Sequence, residues 1–315
     1  MGAIAFKGVQ RLASDIKRRT ATDRQTAMTR DLIIQAVVSG LLMGLIYALV
    51  AVGLSLIFGL MEIVNFAHGE FLMLAMFATF WLWALAGLDP LLSLPLVAIL
   101  LAAAGALVHL GIIRGLLKAP MLAQVCGTFG LAVALRAGAQ YLWTPDFRTI
   151  ADPWVGGRVQ VGPIFIGQPQ LVAGAVCLLA FLALWLFVTR TETGLGLQAT
   201  AQDRQAAAVM GIPTERMSAL GWAIGLGCVG VAGAMLSTFY YIFPDVGVNF
   251  ALLAFVAVAL GGFGSIVGSL VAGVLIGIVE SLGGLLIDPS YKTVIVFALY
   301  LAVVISRPNG LFGRF

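Results

Sequence analysis

Charge is scarce in this chain. Only 10% of its 315 residues are Asp, Glu, Lys or Arg, while 61% are hydrophobic. Water-soluble domains carry roughly 25% charged and about 45–50% apolar residues, so a soluble enzyme and a disordered chain are both excluded. Histidine is limited to His68 and His109, which excludes a histidine-rich metal site; no metal is expected. Cys126, Cys177 and Cys228 lie in apolar stretches without a C-x-x-C pair, so they read as small buried hydrophobes, with neither a disulfide framework nor a metal cluster. None of Lys7, Lys17, Lys118 and Lys292 follows a glycine. A phosphate-cradling G-x-x-x-x-G-K-[ST] loop is therefore missing, and any ATP would be bound by another chain. His68-Gly69-Glu70 has half of a zinc-deaminase pattern but no P-C-x-x-C partner, and no G-x-S-x-G nucleophile elbow occurs. A membrane-embedded enzyme and a nucleic-acid binder are accordingly poor readings.

What the chain has instead is long apolar runs. They cover residues 32–48, 50–60, 66–86, 91–113, 122–143, 169–189, 215–240, 247–260, 265–287 and 292–306. Lipid admits only helix bundles or closed barrels, because backbone polar groups must be paired internally. A barrel would alternate over segments of about 10 residues, whereas Leu91–Leu107 and Leu171–Val188 are apolar on every face. The expected fold is all-α: a polytopic membrane helix bundle with eight full spans plus two short or re-entrant segments, about ten passes in all. The short segments, 50–60 and 247–260, each precede a polar or Gly-rich break, at Glu62–Glu70 and Gly261–Ser265. Interrupted segments in corresponding places of two halves point to a weak internal repeat around a transport path.

Basic residues set the expected orientation. Ten passes starting inside collect on the inner side Arg114, Lys118, Arg190, Arg204, Arg216, Arg307 and Arg314 together with those of residues 1–31, and leave Arg148, Arg158 and Lys292 outside. That bias predicts N-in/C-in. Residues 1–31 form a basic cytoplasmic leader, either a surface-lying helix or a solvated tail, with Met28 an alternative start; 32–315 form the transmembrane domain. The outer loop 144–168 reads as an ordered cap or a plain loop. The inner loop 190–214 reads as a helix from Gln198 to Met210, stopped by Gly211 and Pro213. Its small face, Ala199, Ala206, Ala207 and Gly211, either docks into another protein or holds two spans together.

Several polar groups lie within or beside lipid, where an ionised acid costs on the order of 3 kcal/mol and normally pairs or faces water. Asn65 and His68, at i and i+3, are expected to fix the first break by bonding free backbone groups; a proton relay of His68 with Glu62 or Glu70 is the alternative. Glu280 is expected to face the bundle, paired with a hydroxyl or with His109, or held protonated. Arg136 either pairs with Asp146 or snorkels. Gly261, Gly262, Gly264 and Gly268 either line a path or let helices approach closely.

The run Asp203-Arg-Gln-Ala206-Ala207-Ala208-Val-Met-Gly211-Ile-Pro213 is similar to the cytoplasmic coupling loop of ABC importer permeases. With Ile63-Val-Asn65-Phe-Ala-His68-Gly69-Glu70, Leu260-Gly-Gly-Phe-Gly-Ser265-Ile-Val-Gly268 and Arg307-Pro-Asn-Gly-Leu-Phe-Gly313, the chain resembles the branched-chain amino-acid type of ABC permease from about Met28 onward. Gln205 stands where the broader importer pattern has Glu. The resemblance implies a bacterial inner-membrane permease working with two ABC ATPase subunits, a second related permease and a periplasmic solute-binding protein. It implies no cofactor in this chain, with ATP and Mg in the ATPase partners, and no nucleic acid. Asp203, Arg204, Ala206, Ala207, Gly211 and Pro213 would couple to the ATPase, and Asn65, His68, Glu70, Gly261, Gly262, Gly264, Ser265 and Glu280 would line or gate the path. The alternatives are a permease for urea, amides, aromatic acids or sugars, and an ion-coupled secondary transporter.

Overall fold

The computed structural model describes the backbone of residues 2–162 and 164–312 and the side chains of 29–162 and 164–312. In chain order the helices are α1 (Gly2–Met61), α2 (His68–Ala86) and α3 (Pro90–Val108), the last continuing through a π-helical turn (His109–Ile113) into α4 (Arg114–Leu116). Then come α5 (Met121–Trp143), strands β1 (Arg158–Val161) and β2 (Ile164–Gly167), and α6 (Gln168–Arg190). The rest is α7 (Glu192–Gln202), α8 (Arg204–Val209), α9 (Thr214–Leu236), α10 (Val246–Gly261), α11 (Ile266–Leu286) and α12 (Lys292–Ser306). Among the described residues eight helices are long and apolar enough to cross a membrane, and α10 is a shorter apolar helix. The protein is a polytopic helical membrane protein.

Three expectations need correction. Segments 32–48 and 50–60 are one span, Thr29–Met61. Tyr47-Ala48-Leu49-Val50 contains no breaker, and at 1.5 Å per residue the helix simply outruns the roughly 30 Å lipid core. The fold is not strictly all-α, since β1 and β2 pair antiparallel, Arg158 opposite Gly167. The helix expected over 198–210 is two helices, broken at Asp203. Gly40 packs on Gly277 while Gly59 packs on Gly264, so α1 and α11 run antiparallel. Phe58, Gly59 and Glu62 lie beside α7, whereas Leu42, nearer the start of the span, meets Gly174 of α6. The stretch after α12 folds onto the end of α10 through Leu311 N–H to the Leu260 carbonyl (2.8 Å). Thr29 and Arg307 therefore stand at opposite ends of the bundle.

The 144–168 loop is tied down over its described residues. Arg148 exchanges two backbone hydrogen bonds of 2.9 Å with Ile242, its guanidinium lies over the Phe80 and Trp81 rings, and Trp154 N–H donates to Asp89 Oδ2 (2.7 Å). Asp89 also caps α3 at Leu91 N–H, with Pro90 in the first turn. Asp146, by contrast, takes a hydrogen bond from Thr144 Oγ1 and does not meet Arg136.

The core lies where α1, α2, α9 and α10 converge on Phe71, Phe77, Trp222 and Met73, all fully buried. Bilayer helices gain little from the hydrophobic effect and associate through close packing. Here α1 carries Gly40-x-x-x-Gly44 and α11 carries Gly273-x-x-x-Gly277. A Cβ on Gly40 would sit 2.6 Å from the Gly277 carbonyl oxygen, and one on Gly44 2.7 Å from the Val274 Cα. Backbone touches backbone, so this contact admits glycine alone.

Candidate functional site

The first break runs from Met61 to His68, and its motif residues are tied down individually. Asn65 Oδ1 accepts the Ala67 N–H (3.1 Å). The Thr128 hydroxyl donates to the Val64 carbonyl (3.1 Å). His68 is fully buried and its Nε2 lies 2.9 Å from the Val50 carbonyl; a carbonyl can only accept, so Nε2 carries the hydrogen. Gly69 lies against the backbone of Gly247, where no side chain fits. Glu70 accepts from Arg136 Nε (3.1 Å) and from a second guanidinium nitrogen of Arg136, and Arg136 also faces Asp245 Oδ1 at 3.8 Å. Arg136 thus clamps α2 to α5 and to the start of α10. No hydrogen bond joins His68 to Glu62 or Glu70 among the described residues, so the structure gives no relay between them.

The second break turns on Gly262 and Gly264, whose φ values of 99° and 78° lie in the left-handed region that favours glycine. Ser265 caps α11 by accepting the Gly268 N–H (3.0 Å). The last carbonyls of α10, at Leu260 and Gly261, accept N–H groups of Leu311 and Phe312, satisfying a helix end that would otherwise be orphaned. The C-terminal Arg307–Phe312 stretch and the glycine break are thus one unit. The two breaks also meet, with Phe58 and Phe263 ring centroids 4.4 Å apart. Cross-pairing of α1 with α11 and of α2 with α10 is what two related helix–break–helix units would make.

At the inner loop, Asp203 has extended backbone and its Oδ1 accepts the N–H groups of Gln205 and Ala206, each at 2.9 Å. An acid that caps the helix ahead must end the helix behind it. Gly211, at φ 85°, and Pro213 then turn the chain into α9. Ala207 faces the chain's own interior, Arg204 is partly buried and Ala206 faces out. Val209 and Met210, at the end of α8, are 87% and 80% exposed. Sequence reasoning missed both, although two apolar residues just before a Gly stop on a polar loop were a visible signal.

A cavity of about 570 Å³ connects these parts. It is lined by Gln198, Ala201 and Gln202 of α7, by Phe58 and Glu62 at the first break, and by Gly264 and Ser265 at the second. Glu62 is a non-glycine residue at φ 56°, a conformation that costs on the order of 1 kcal/mol or more. A shift of α7 therefore bears directly on both breaks. The other large polar cavity, about 430 Å³, opens at the far end between α1, α10, α11 and α12. Glu280 lies there, accepting from the Tyr47 hydroxyl (2.8 Å) and facing Lys292 Nζ (3.3 Å). A hydroxyl partner was foreseen. Lys292 was not, though Gly283-Gly284 and Pro289 mark the turn that folds α12 back beside Glu280. His109 sits elsewhere, buried at the start of the π-helical turn after α3 with its ring 6.5 Å from that of Trp222.

A family model described as "Branched-chain amino acid transport system / permease component" matches residues 36–304. The chain is 32% identical over 296 residues to the high-affinity branched-chain amino acid transport system permease protein LivH of Escherichia coli (strain K12), covering 89% of this chain and 96% of LivH. It is 31% identical, with the same coverage, to the permease protein BraD of Pseudomonas aeruginosa. It is 26% identical over 282 residues to a probable LivH of Methanocaldococcus jannaschii, covering 84% and 88% of the two chains. No solved structure matches.

Proposed function

This chain belongs to the branched-chain amino acid transport system permease family, and from that membership we propose that it forms the translocation path of an ABC importer in a bacterial inner membrane. Its solutes are branched-chain amino acids or related small polar molecules. It works with two ATPase subunits, a second related permease and a periplasmic binding protein. ATP and Mg reside in the ATPase partners, since no lysine here follows the glycine that a phosphate loop requires.

The observation that carries this reading is the 570 Å³ cavity joining α7 to both breaks. ATPase closure moves α8, whose exposed Val209 and Met210 supply an apolar knob, and the α7–α8 unit displaces the breaks around which α1–α2 and α10–α11 pivot. Backbone freed at such breaks lines a cavity in transporters. With α7 and α8 cytoplasmic, the chain makes nine passes: the eight long helices and α10. Residue 29 and the β1–β2 cap then face the periplasm and Arg307 the cytoplasm. Among the described side chains, Arg114, Lys118, Arg190, Arg204, Arg216 and Arg307 lie at the coupling end and Arg30, Arg148, Arg158 and Lys292 at the other.

The test is purification from its host in mild detergent, reconstitution, and single-cysteine labelling from either side. Co-elution with two ATPases, nucleotide-driven uptake and outside labelling of Thr29→Cys are expected. Concentrative uptake by this chain alone, driven by a proton gradient, would overturn the reading in favour of an ion-coupled carrier.

A further inference from the structure

The outer cavity holds two opposite charges where lipid would tolerate neither. Glu280 is six residues from the end of α11 and mostly buried; Lys292 opens α12 and is half-exposed. An ion pair at this depth faces water or protein rather than lipid tails. Tyr47 donates to one carboxylate oxygen, leaving the other to Lys292. The α1 and α10 side of the wall carries the apolar and aromatic Met43, Leu253 and Phe250, the last held edge-on by Tyr240 at 5.4 Å, while Ser39, Gln170, Ser281 and Thr293 keep the rest polar. Asn249 adds the one neutral amide on that wall of α10.

We propose that this cavity is the outer solute station of the path, and that it selects free zwitterionic amino acids with apolar side chains. This rests on the permease reading above. The solute inserts into the Glu280–Lys292 pair: its ammonium replaces Lys292 at the carboxylate, and the long Lys292 stem swings its ammonium onto the solute carboxylate. Both protein charges stay paired throughout. A solute bearing only a carboxylate or only an ammonium leaves one of them unmatched, which discriminates by the cost of an uncompensated charge. The apolar wall takes the side chain.

Two measurements test this. In the purified full chain carrying Cys126→Ser and Thr293→Cys, a thiol reagent labels position 293 at the cavity rim; Cys177 and Cys228 are buried. Saturating leucine should slow labelling by about threefold or more, as occupancy of a site blocks access, while isovalerate and isoamylamine do not. Absence of protection by leucine, or equal protection by isovalerate, would overturn the station. In the reconstituted complex, Glu280→Gln and Lys292→Gln should each lower leucine uptake about tenfold while binding-protein-stimulated ATP hydrolysis persists. The double variant removes both charges and so relieves any merely structural penalty. Uptake that stays low in it supports the station; uptake that returns to the wild-type rate overturns it. Protection by leucine without nucleotide-driven uptake of the wild-type complex would retain the station and sink the importer reading.

Discussion

Replacing Arg136 by Met isolates the one buried charge at the first break. Glu70 is 2% exposed, whereas Arg136 is 32% exposed and has Asp245 as a second partner. The two losses are therefore unequal. Removing one partner of a buried pair costs about 3–5 kcal/mol, because the other charge is left uncompensated. Partial exposure on the Arg136 side lets water reach the vacated space, so the lower bound of about 3 kcal/mol applies. At about 2–4 °C per kcal/mol, the unfolding midpoint should fall by about 6–12 °C. Glu70→Gln strands only the half-exposed guanidinium, which keeps Asp245 and water, and should cost about 1 kcal/mol. The double variant should resemble Glu70→Gln, since it leaves no buried charge. The assay is tryptophan fluorescence of detergent-purified protein at one scan rate, because unfolding of such chains is rarely reversible. A midpoint for Arg136→Met within about 2 °C of wild type, or below which Glu70→Gln falls still further, would refute the reasoning.

Three further outcomes follow from the same geometry. Met210→Asp or Val209→Asp should leave the midpoint unchanged, both residues being exposed, yet cut co-purification with the ATPases by about tenfold, read by pull-down. Asp203→Ala removes the cap shared by Gln205 and Ala206 at a cost of about 1 kcal/mol, so hydrogen exchange over 204–209 should quicken about fivefold while the spans stay protected. Gly277→Leu would force α1 from α11, costing about 3 kcal/mol and most of the monodisperse protein in size-exclusion runs. Gly138→Ala, where nothing lies within 4 Å, is its tolerated control.

The apolar segments located seven of the eight candidate spans closely because runs of residues that lipid accepts are written in the chain itself. The same reading split Thr29–Met61, since length was the only criterion and no Pro or polar residue lay between to confirm a break. Gly211 and Pro213 were legible as a stop because both act through their own dihedral angles. Asp203 reads as a mid-helix residue among helix formers, yet its capping role depends only on the residues just after it and is legible there.

Sequence alone determined what depends on neighbours along the chain: membrane residence, the two breaks, the turn after α8, and the want of any nucleotide loop. Tertiary structure alone decided that Arg136 answers Glu70, that Tyr47 and Lys292 answer Glu280, and that the Arg307–Phe312 stretch closes the end of α10. Each of those pairings depends on the rotation and register of helices far apart in sequence. One residue of slip turns a helix by about 100°, which would carry each of these partners out of reach.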